Sequence, residues 1–352
     1  MPAYVSLRNI EDLAERGRVI DKLLALRAQL DREIPAKTAT DTLLLATWNI
    51  RSFGDNRTEE SLRYIAEIAS RFDLIAIQEV ASEMEGLKKL VALMGHHSWD
   101  YIVTDVTEGG AGNGERLAFV YNTNKVFFRN MAGELVLPKD KLIKEELQFA
   151  RTPFTVAFQA GWFKFILTTV HILYKSAKKE DPWRVAEIDT VAEFLNKRAE
   201  KERKRKEDES YILLGDFNIF NQGDATMKAL EQHSFHIPDA IKEHPTDLGG
   251  TKYYDQIAFK LKIDPKMTVF SEGNQQAGSF DFTKTVYLPE DMDYYKHLFP
   301  EKTVKNMTQQ KIEEYYLGSW RTFQMSDHLP LWIELKIDFS NQYLERVKKE
   351  KR

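Results

Sequence analysis

Cysteine is absent from all 352 residues, which excludes disulfides, thiolate nucleophiles and a thiolate-bound structural zinc. That absence fits a reducing compartment, although exported bacterial proteins often share it. Long apolar runs are missing too, because charges interrupt each hydrophobic cluster, so no stretch is built to cross a bilayer. The opening MPAYVSLRNIEDLAERGRVIDKLLALRAQL has the amphipathic spacing of a helix rather than the unbroken apolar core of a signal peptide. The expectation is a soluble, cytoplasmic protein without a transmembrane segment. Nor is there an excess of positive charge: 50 Lys and Arg face 54 Asp and Glu, a formal net charge of -4. Such a balance argues against holding a polyanion by bulk electrostatics. It leaves room for an enzyme whose positive charge is local or carried by a bound metal ion.

What is present is an ordinary globular composition, 43% hydrophobic and 30% charged, enough to bury a sizeable core. The pattern divides the chain into a helical extension over residues 1–40, a main domain over 41–338 and a charged tail over 339–352. A first helix is expected from about Leu7 to Leu30, ahead of the breaker-rich stretch Ile34–Thr38. From Thr42 onward short apolar runs alternate with amphipathic helices. The runs Leu43–Ala46, Leu74–Ile77, Leu117–Tyr121, Phe165–Val170, Tyr211–Leu214, Gln256–Phe259 and Leu329–Leu335 read as strands. Several are apolar on consecutive positions, as strands covered on both faces are. Helices are expected near Glu59–Arg71, Glu83–Met94, Trp183–Lys204 and Ala225–His233, the second opened by a capping box from Ser82 to Glu85. Two insertions stand out. Residues 197–209 are a mixed-charge helix end, and residues 275–324 are rich in aromatics and fold over the core or form a lid. The fold class expected is α/β (α+β): two packed, mainly antiparallel sheets flanked by helices.

The chemistry-bearing residues sit at the ends of the apolar runs. Asn49 follows LLLATW, Gln78 and Glu79 follow LIAI, His171 follows FILTTV, and Asp216 and Asn218 follow YILL. Asp255 and the Asp327–His328 pair instead precede their runs. With strands alternating in direction, those ends share one edge and converge on one cleft. Glu79, Asp216 and Asp327 with the amides of Asn49 and Asn218 make an oxygen-rich set, suited to hard cations such as magnesium, manganese or calcium. His171 and His328 add groups that titrate near neutrality. Metal, imidazole and carboxylate together suit hydrolysis of a phosphate ester. Each piece alone has a plainer reading: a strand exit for GDFN, a helix cap for Glu79 or Ser-Asp-His, a satisfied strand histidine for His171. Their order within one domain is what gives them joint weight.

That order, TWNI, QEV, GERLAFVY, RTPF, TTVHI, GDFN, YYDQI and SDHLP, resembles the motifs of the endonuclease/exonuclease/phosphatase superfamily, and within it the deoxyribonuclease I branch. The resemblance runs from about Leu43 to Leu335 and implies a metal-dependent phosphodiesterase, with a nuclease acting on DNA as the leading reading. It implies Glu79 as principal metal ligand, with Asn49 beside it and Asp327 assisting, and magnesium as the ion, manganese or calcium being alternatives. It implies two carboxylate–imidazole pairs, Glu115–His171 and Asp255–His328, with the direction of proton flow left open. Asp216 matches the aspartate that orients or activates water, and Asn218 the amide that contacts phosphate. Arg151 matches an arginine gripping a phosphate, with Arg116 near it.

The sequence also departs from that branch. Two positions that enter the DNA minor groove there, an arginine and a tyrosine, are here Ala81 and, approximately, Asn113, within the glycine-rich loop 109–114. Intact duplex is therefore not favoured over other substrates. A sphingomyelinase-like or other activity on lipid headgroups or small phosphate esters is the main alternative, with the aromatic insertion as a candidate membrane-touching surface. Inositol phosphatases fit poorly, because Ile219–Phe220–Asn221 and Asp255–Gln256–Ile257 lack their arginines. An apurinic-site endonuclease fits poorly because Arg51 stands where an acid is usual. A catalytically inactive binding module is the weakest reading, since every expected polar position is filled.

Overall fold

The first strand, β1 (Thr42–Phe53), shows how the layers are built. Residues 43–50 are all buried, so both faces of this strand are covered. Leu43 and Leu45 point into one core, while Leu44, Ala46 and Trp48 point into the other, as the two-residue period of a strand requires. The first core lies between two sheets and continues through the second sheet to the helices beyond it. The second core lies between the first sheet and an outer helical layer. The protein is described by a computed structural model over residues 2, 4–107, 114–144, 147–176, 178–205, 209–262 and 276–349.

The remaining strands, among the described residues, are β2 (Leu74–Ala81), β3 (Trp99–Val103), β4 (Glu115–Asn122), β5 (Val126–Glu134), β6 (Phe154–Ala160), β7 (Phe163–His171), β8 (Ser210–Asp216), β9 (Asp255–Lys260), β10 (Ala277–Ser279) and β11 (Leu331–Lys336). They form one sheet in the order β10-β11-β1-β2-β4-β3 and a second in the order β5-β6-β7-β8-β9. Within each sheet one pair is parallel, β1 with β2 and β7 with β8, and the others are antiparallel. The expected sandwich of two mainly antiparallel sheets between helices is the fold observed. The seven expected strand runs all fall in strands, although the last begins at Leu331 rather than Leu329. The strands β3, β5, β6 and β10 were not anticipated.

Helices that flank the sheets include α1 (Leu13–Glu33), α2 (Glu59–Ala69), α3 (Glu85–Met94), α4 (Pro182–Lys204) and α5 (Ala225–Glu231). The first does not begin at Leu7. A short 3-10 turn over Val5–Asn9 comes first, and Asp12 then caps α1 by accepting from the N–H groups of Ala14 and Glu15. Val19, Leu23, Leu26 and Leu30 form a buried stripe on α1 at helical spacing. Around that stripe Arg18 grips Glu60 through two nitrogens, at 2.6 and 2.8 Å, and Arg27 pairs with Glu67 at 2.7 Å, both acids lying on α2. The expected capping box on α3 is not formed. Met84, in a left-handed conformation, precedes that helix, while the Ser82 hydroxyl donates to Glu83.

The aromatic segment packs inward onto the same helical layer. Tyr287 meets Tyr64 of α2 edge to face at 5.7 Å and Tyr295 at 4.9 Å, and Trp320 lies 5.1–5.2 Å from both. Tyr287, Tyr295, Tyr316 and Trp320 are all buried. They serve as core, so these rings are not the membrane-touching surface considered above. Among the described residues no helix is long and apolar enough to cross a membrane.

Candidate active site

Each sheet brings a row of polar residues to the same edge. In the first sheet Asn49 pairs in register with Gln78, and the ladder is then broken between Asn49 and Phe53 and between Ile77 and Val80. Glu79 sits within that irregularity at φ 59°, and Ser52 opposite it at φ 45°. Non-glycine residues in this region carry strain, which is held only where the surroundings fix them. Here the Ser52 N–H donates to Glu79 Oε2 at 2.7 Å and the Asn49 amide donates to Glu79 Oε1 at 3.1 Å. Gln78 ties the two sheets together by donating to Thr169 Oγ1 at 2.9 Å.

In the second sheet His171, Asp216 and Asp255 lie side by side at the ends of β7, β8 and β9. This row depends on Gly215. Its φ is 133°, and an added Cβ would stand 2.1 Å from the Val170 carbonyl oxygen. Gly215→Ala should therefore destabilise the protein by at least ~2–3 kcal/mol, a strained φ alone costing about 1–3 kcal/mol. A thermal melt matching the parent protein's would show that the row tolerates a side chain there.

The two rows meet through Asp216. Its Oδ2 accepts from Asn49 Nδ2 at 3.0 Å and lies 3.5 Å from His171 Nε2 and 3.8 Å from His328 Nε2. Behind each ring stands a carboxylate. Glu115 Oε1 is 3.0 Å from His171 Nδ1, and Asp255 Oδ2 is 2.8 Å from His328 Nδ1. Burial, and then the Arg151 charge, hold the His171 imidazolium below its ordinary value, against the pull of Asp216 and Glu79. His328 goes the other way. Burial disfavours its charge, but Asp255 and Asp216 outweigh it and push the ring up to about 10. Burial raises the Asp255 carboxyl as well, so this pair holds its proton well above neutral pH. Glu79 is raised by burial but lowered further by His171, the Ser52 N–H and Asn49, and stays below the ordinary carboxylate range.

Most of the expected site residues thus share one cleft of about 480 Å3. Glu79, Arg151, His171, Asp216, Asn218, Asp327 and His328 line it, with Asn49, Glu115 and Asp255 directly behind them. Asn218, at φ 53°, uses one amide N–H on the Ile172 carbonyl and its backbone N–H on Asp216 Oδ1. Arg151 is buried against Glu115. Asp327 is exposed at the mouth. Arg116 does not belong to the cleft. Its guanidinium is turned away and bound to the carbonyls of Ser82 at 3.0 Å and Thr104 at 2.7 Å. Asn113 lies outside the described residues, as does most of the glycine-rich loop.

The sequence reading missed four contributors. Ser326 donates to the Asn49 carbonyl at 2.6 Å and accepts from the His328 N–H at 3.0 Å, tying the end of β1 to the turn that carries His328. Glu187, on the buried face of α4, accepts from the N–H groups of Ala150 and Leu173, and so positions the loops carrying Arg151 and leading from His171. Tyr174 and Tyr254 line the cleft. Ser326 and Tyr254 carried a sequence signal, through their places in SDHLP and YYDQI.

The donor set fits a hard divalent cation. Asn49 Oδ1 is buried beside Glu79 with no hydrogen-bond partner, while both N–H donors of that amide are taken by carboxylates. Glu79, Glu115 and His171 offer ligand atoms within 4.8 Å of one another, as do Asp216, Asp255 and His328. Oxygen donors dominate, as magnesium and its hard neighbours require.

Comparison with known proteins agrees with this fold. A protein named deoxyribonuclease from Thioalkalivibrio sp. (strain K90mix) is 30% identical over 206 residues, covering 56% of this chain and 53% of that one. The chain thus spans about half the length of this relative. A Bacteroides thetaiotaomicron protein of the endonuclease/exonuclease/phosphatase family superimposes with a TM-score of 0.53 at 18% identity, over 85% of this chain and 96% of that chain. The human Nocturnin catalytic domain with bound sulfate gives 0.51 at 12% identity, over 84% and 94%. At such identities the two structures show a shared fold. The sequence profile of the endonuclease/exonuclease/phosphatase family matches residues 46–264, and the chain belongs to that family.

Proposed function

We propose that the protein hydrolyses phosphodiester bonds with a divalent metal, magnesium in the first instance, and that nucleic acid, DNA foremost, is its substrate. The observation that carries this reading is the meeting of two carboxylate-backed imidazoles on one aspartate, with His171 and His328 3.5 and 3.8 Å from Asp216 Oδ2. Glu79 and Asn49, assisted by Asp327, would hold the metal, whose chemistry when bound is to offset charge developing on phosphate oxygens.

The chain's own groups divide the proton work. His171, kept neutral, lies with Nδ1 3.0 Å from Glu115 Oε1 and presents Nε2 as an acceptor towards the cleft. Together with Asp216 it orients water and takes its proton as the water attacks in line. His328, kept charged by Asp255, presents an Nε2–H donor to the departing oxygen. Arg151 and the free N–H of Asn218 contact the non-bridging oxygens. On this reading His171 is the base and His328 the acid.

Incubation of supercoiled plasmid with magnesium and the protein, beside an Asp216→Asn variant, tests the reading. Nicking that is lost in the variant is the expected result. An intact plasmid together with Asp216-dependent hydrolysis of bis-p-nitrophenyl phosphate would leave the chemistry in place and move the substrate to lipid headgroups or small esters. The name deoxyribonuclease carried by the Thioalkalivibrio protein supports the choice of DNA.

A further inference from the structure

An aromatic wall beside the cleft has no part in the proton chemistry. Tyr174, three residues after His171, is 48% exposed although it lines the same cleft as the catalytic groups. It stacks on buried Phe220 at 6.3 Å and 25°, Phe220 meets Tyr254 edge to face at 5.6 Å, and Tyr254 lies 5.2 Å from the His328 ring. The rings therefore run without a break from solvent to the proposed proton donor.

This wall is held from behind by cations. The fully buried Arg184 guanidinium lies 5.2 Å from the Tyr174 ring and 5.1 Å from Phe220, and donates to the Ser176 carbonyl at 2.7 Å. Lys252 lies 4.9 Å from Phe220 and donates to the Tyr254 hydroxyl at 2.7 Å. A ring fixed in this way loses little freedom on binding, which favours a flat ligand laid on its open side.

We infer that Tyr174 is a stacking face for a nucleobase attached to the phosphate in the cleft, so that the substrate is presented with that base unstacked from its neighbours. The inference rests on the nucleic-acid reading above and narrows it to single-stranded or locally opened strands. The cations behind the wall select a base over the cationic headgroup of a choline lipid. The aromatic faces already have two positive partners, so a quaternary ammonium would meet like charge. A neutral π system instead stacks on a ring backed by a cation, as bases do on aromatic platforms in single-strand binding proteins.

Calorimetric titration of the full chain in magnesium with deoxyadenosine monophosphate, deoxyribose 5-phosphate and choline phosphate tests this. The nucleotide should bind roughly 5- to 100-fold more tightly than deoxyribose 5-phosphate, the range that base–aromatic stacking supplies. Tyr174→Ala should remove that difference, with deoxyribose 5-phosphate bound as before, and Tyr174→Phe should keep it. Equal affinities in the unaltered protein, or a preference that survives in Tyr174→Ala, would overturn the assignment. So would choline phosphate binding as tightly as the nucleotide in a Tyr174-dependent way. Plasmid cleavage without a base preference retains the nuclease and removes the stacking face. A Tyr174-dependent base preference without cleavage of any nucleic acid does the reverse.

Discussion

Replacing either cleft histidine with alanine should lower kcat on a phosphodiester by about 10²–10⁴-fold, the usual worth of a general acid or base. The two variants should differ in stability. In His171→Ala the Glu115 carboxylate keeps Arg151 against it, so the melting temperature should stay close to that of the parent. In His328→Ala the 0% exposed Asp255 loses the imidazolium 2.8 Å from its Oδ2. Breaking a buried pair from one side costs about 3–5 kcal/mol. Adding Asp255→Asn should recover much of that stability without recovering turnover. A single His328→Ala variant that melts like the parent would show that the pair is not a buried ion pair.

The same two rings set the pH dependence. Turnover needs His171 neutral and His328 charged, so the acid limb should lie below pH 6.5 and the alkaline limb near about 10. For His328 the sign of its contribution to stability follows from the direction of its shift. Its folded value is raised above the unfolded one, so its contribution is fully present below about pH 6.5 and fades as pH rises through about 10. In Asp255→Asn the alkaline limb should move towards neutrality, and an unmoved limb would assign it to another group.

The second large effect is expected from the metal site. Chelation by EDTA should abolish turnover, and magnesium or manganese should restore it. Glu79→Gln should lower turnover on the order of 10³-fold at matched magnesium, since several kcal/mol of charge stabilisation is at stake and each 1.36 kcal/mol is tenfold. A readout independent of activity is available. A ligand at about 100 times its Kd stabilises the folded state by about 2.7 kcal/mol, so saturating metal should raise the melting temperature of the parent and not of Glu79→Gln. Full turnover in chelator would remove the metal from the reaction.

Much of the site was legible because its residues mark strand ends: the C-terminal ends of the parallel pairs β1–β2 and β7–β8 share an edge with the N-terminal starts of their antiparallel neighbours β11 and β9. Register then places His171, Asp216 and Asp255 side by side. The error over Arg116 has a simple cause in the same physics. Successive residues on a strand face opposite ways, so with Glu115 turned to the cleft its neighbour must turn out. Four strands escaped notice for different reasons. β3 is a partly covered edge strand, β5 is an edge strand exposed along most of its length, and β10 is only three residues long. The interior strand β6, in contrast, is buried almost throughout, and its periodicity was present to be read. The capping box failed because β2 runs on to Ala81, leaving Ser82 in the turn before α3. Tyr174 and Glu187 had no motif, because their roles come from tertiary neighbours: a ring in a loop and an acid on a helix face.

The docking of α1 also bears on how the chain reaches this structure. Gln29 donates to the Asp281 carbonyl across 252 positions, and Lys22 pairs with Asp291 while donating to the Thr285 carbonyl across 263. The strand β1 likewise lies beside β11, with Thr42 opposite Lys336. During synthesis, helix and strand from the start of the domain leave the ribosome long before the segments that complete their packing. Until residues 281–336 have emerged, one edge of β1 is unpaired and part of α1 is uncovered. Such exposed edges and apolar faces are what chaperones bind and what aggregates. Folding is thus expected to be slow for the size of the protein, since its closing contacts are among the most distant in sequence.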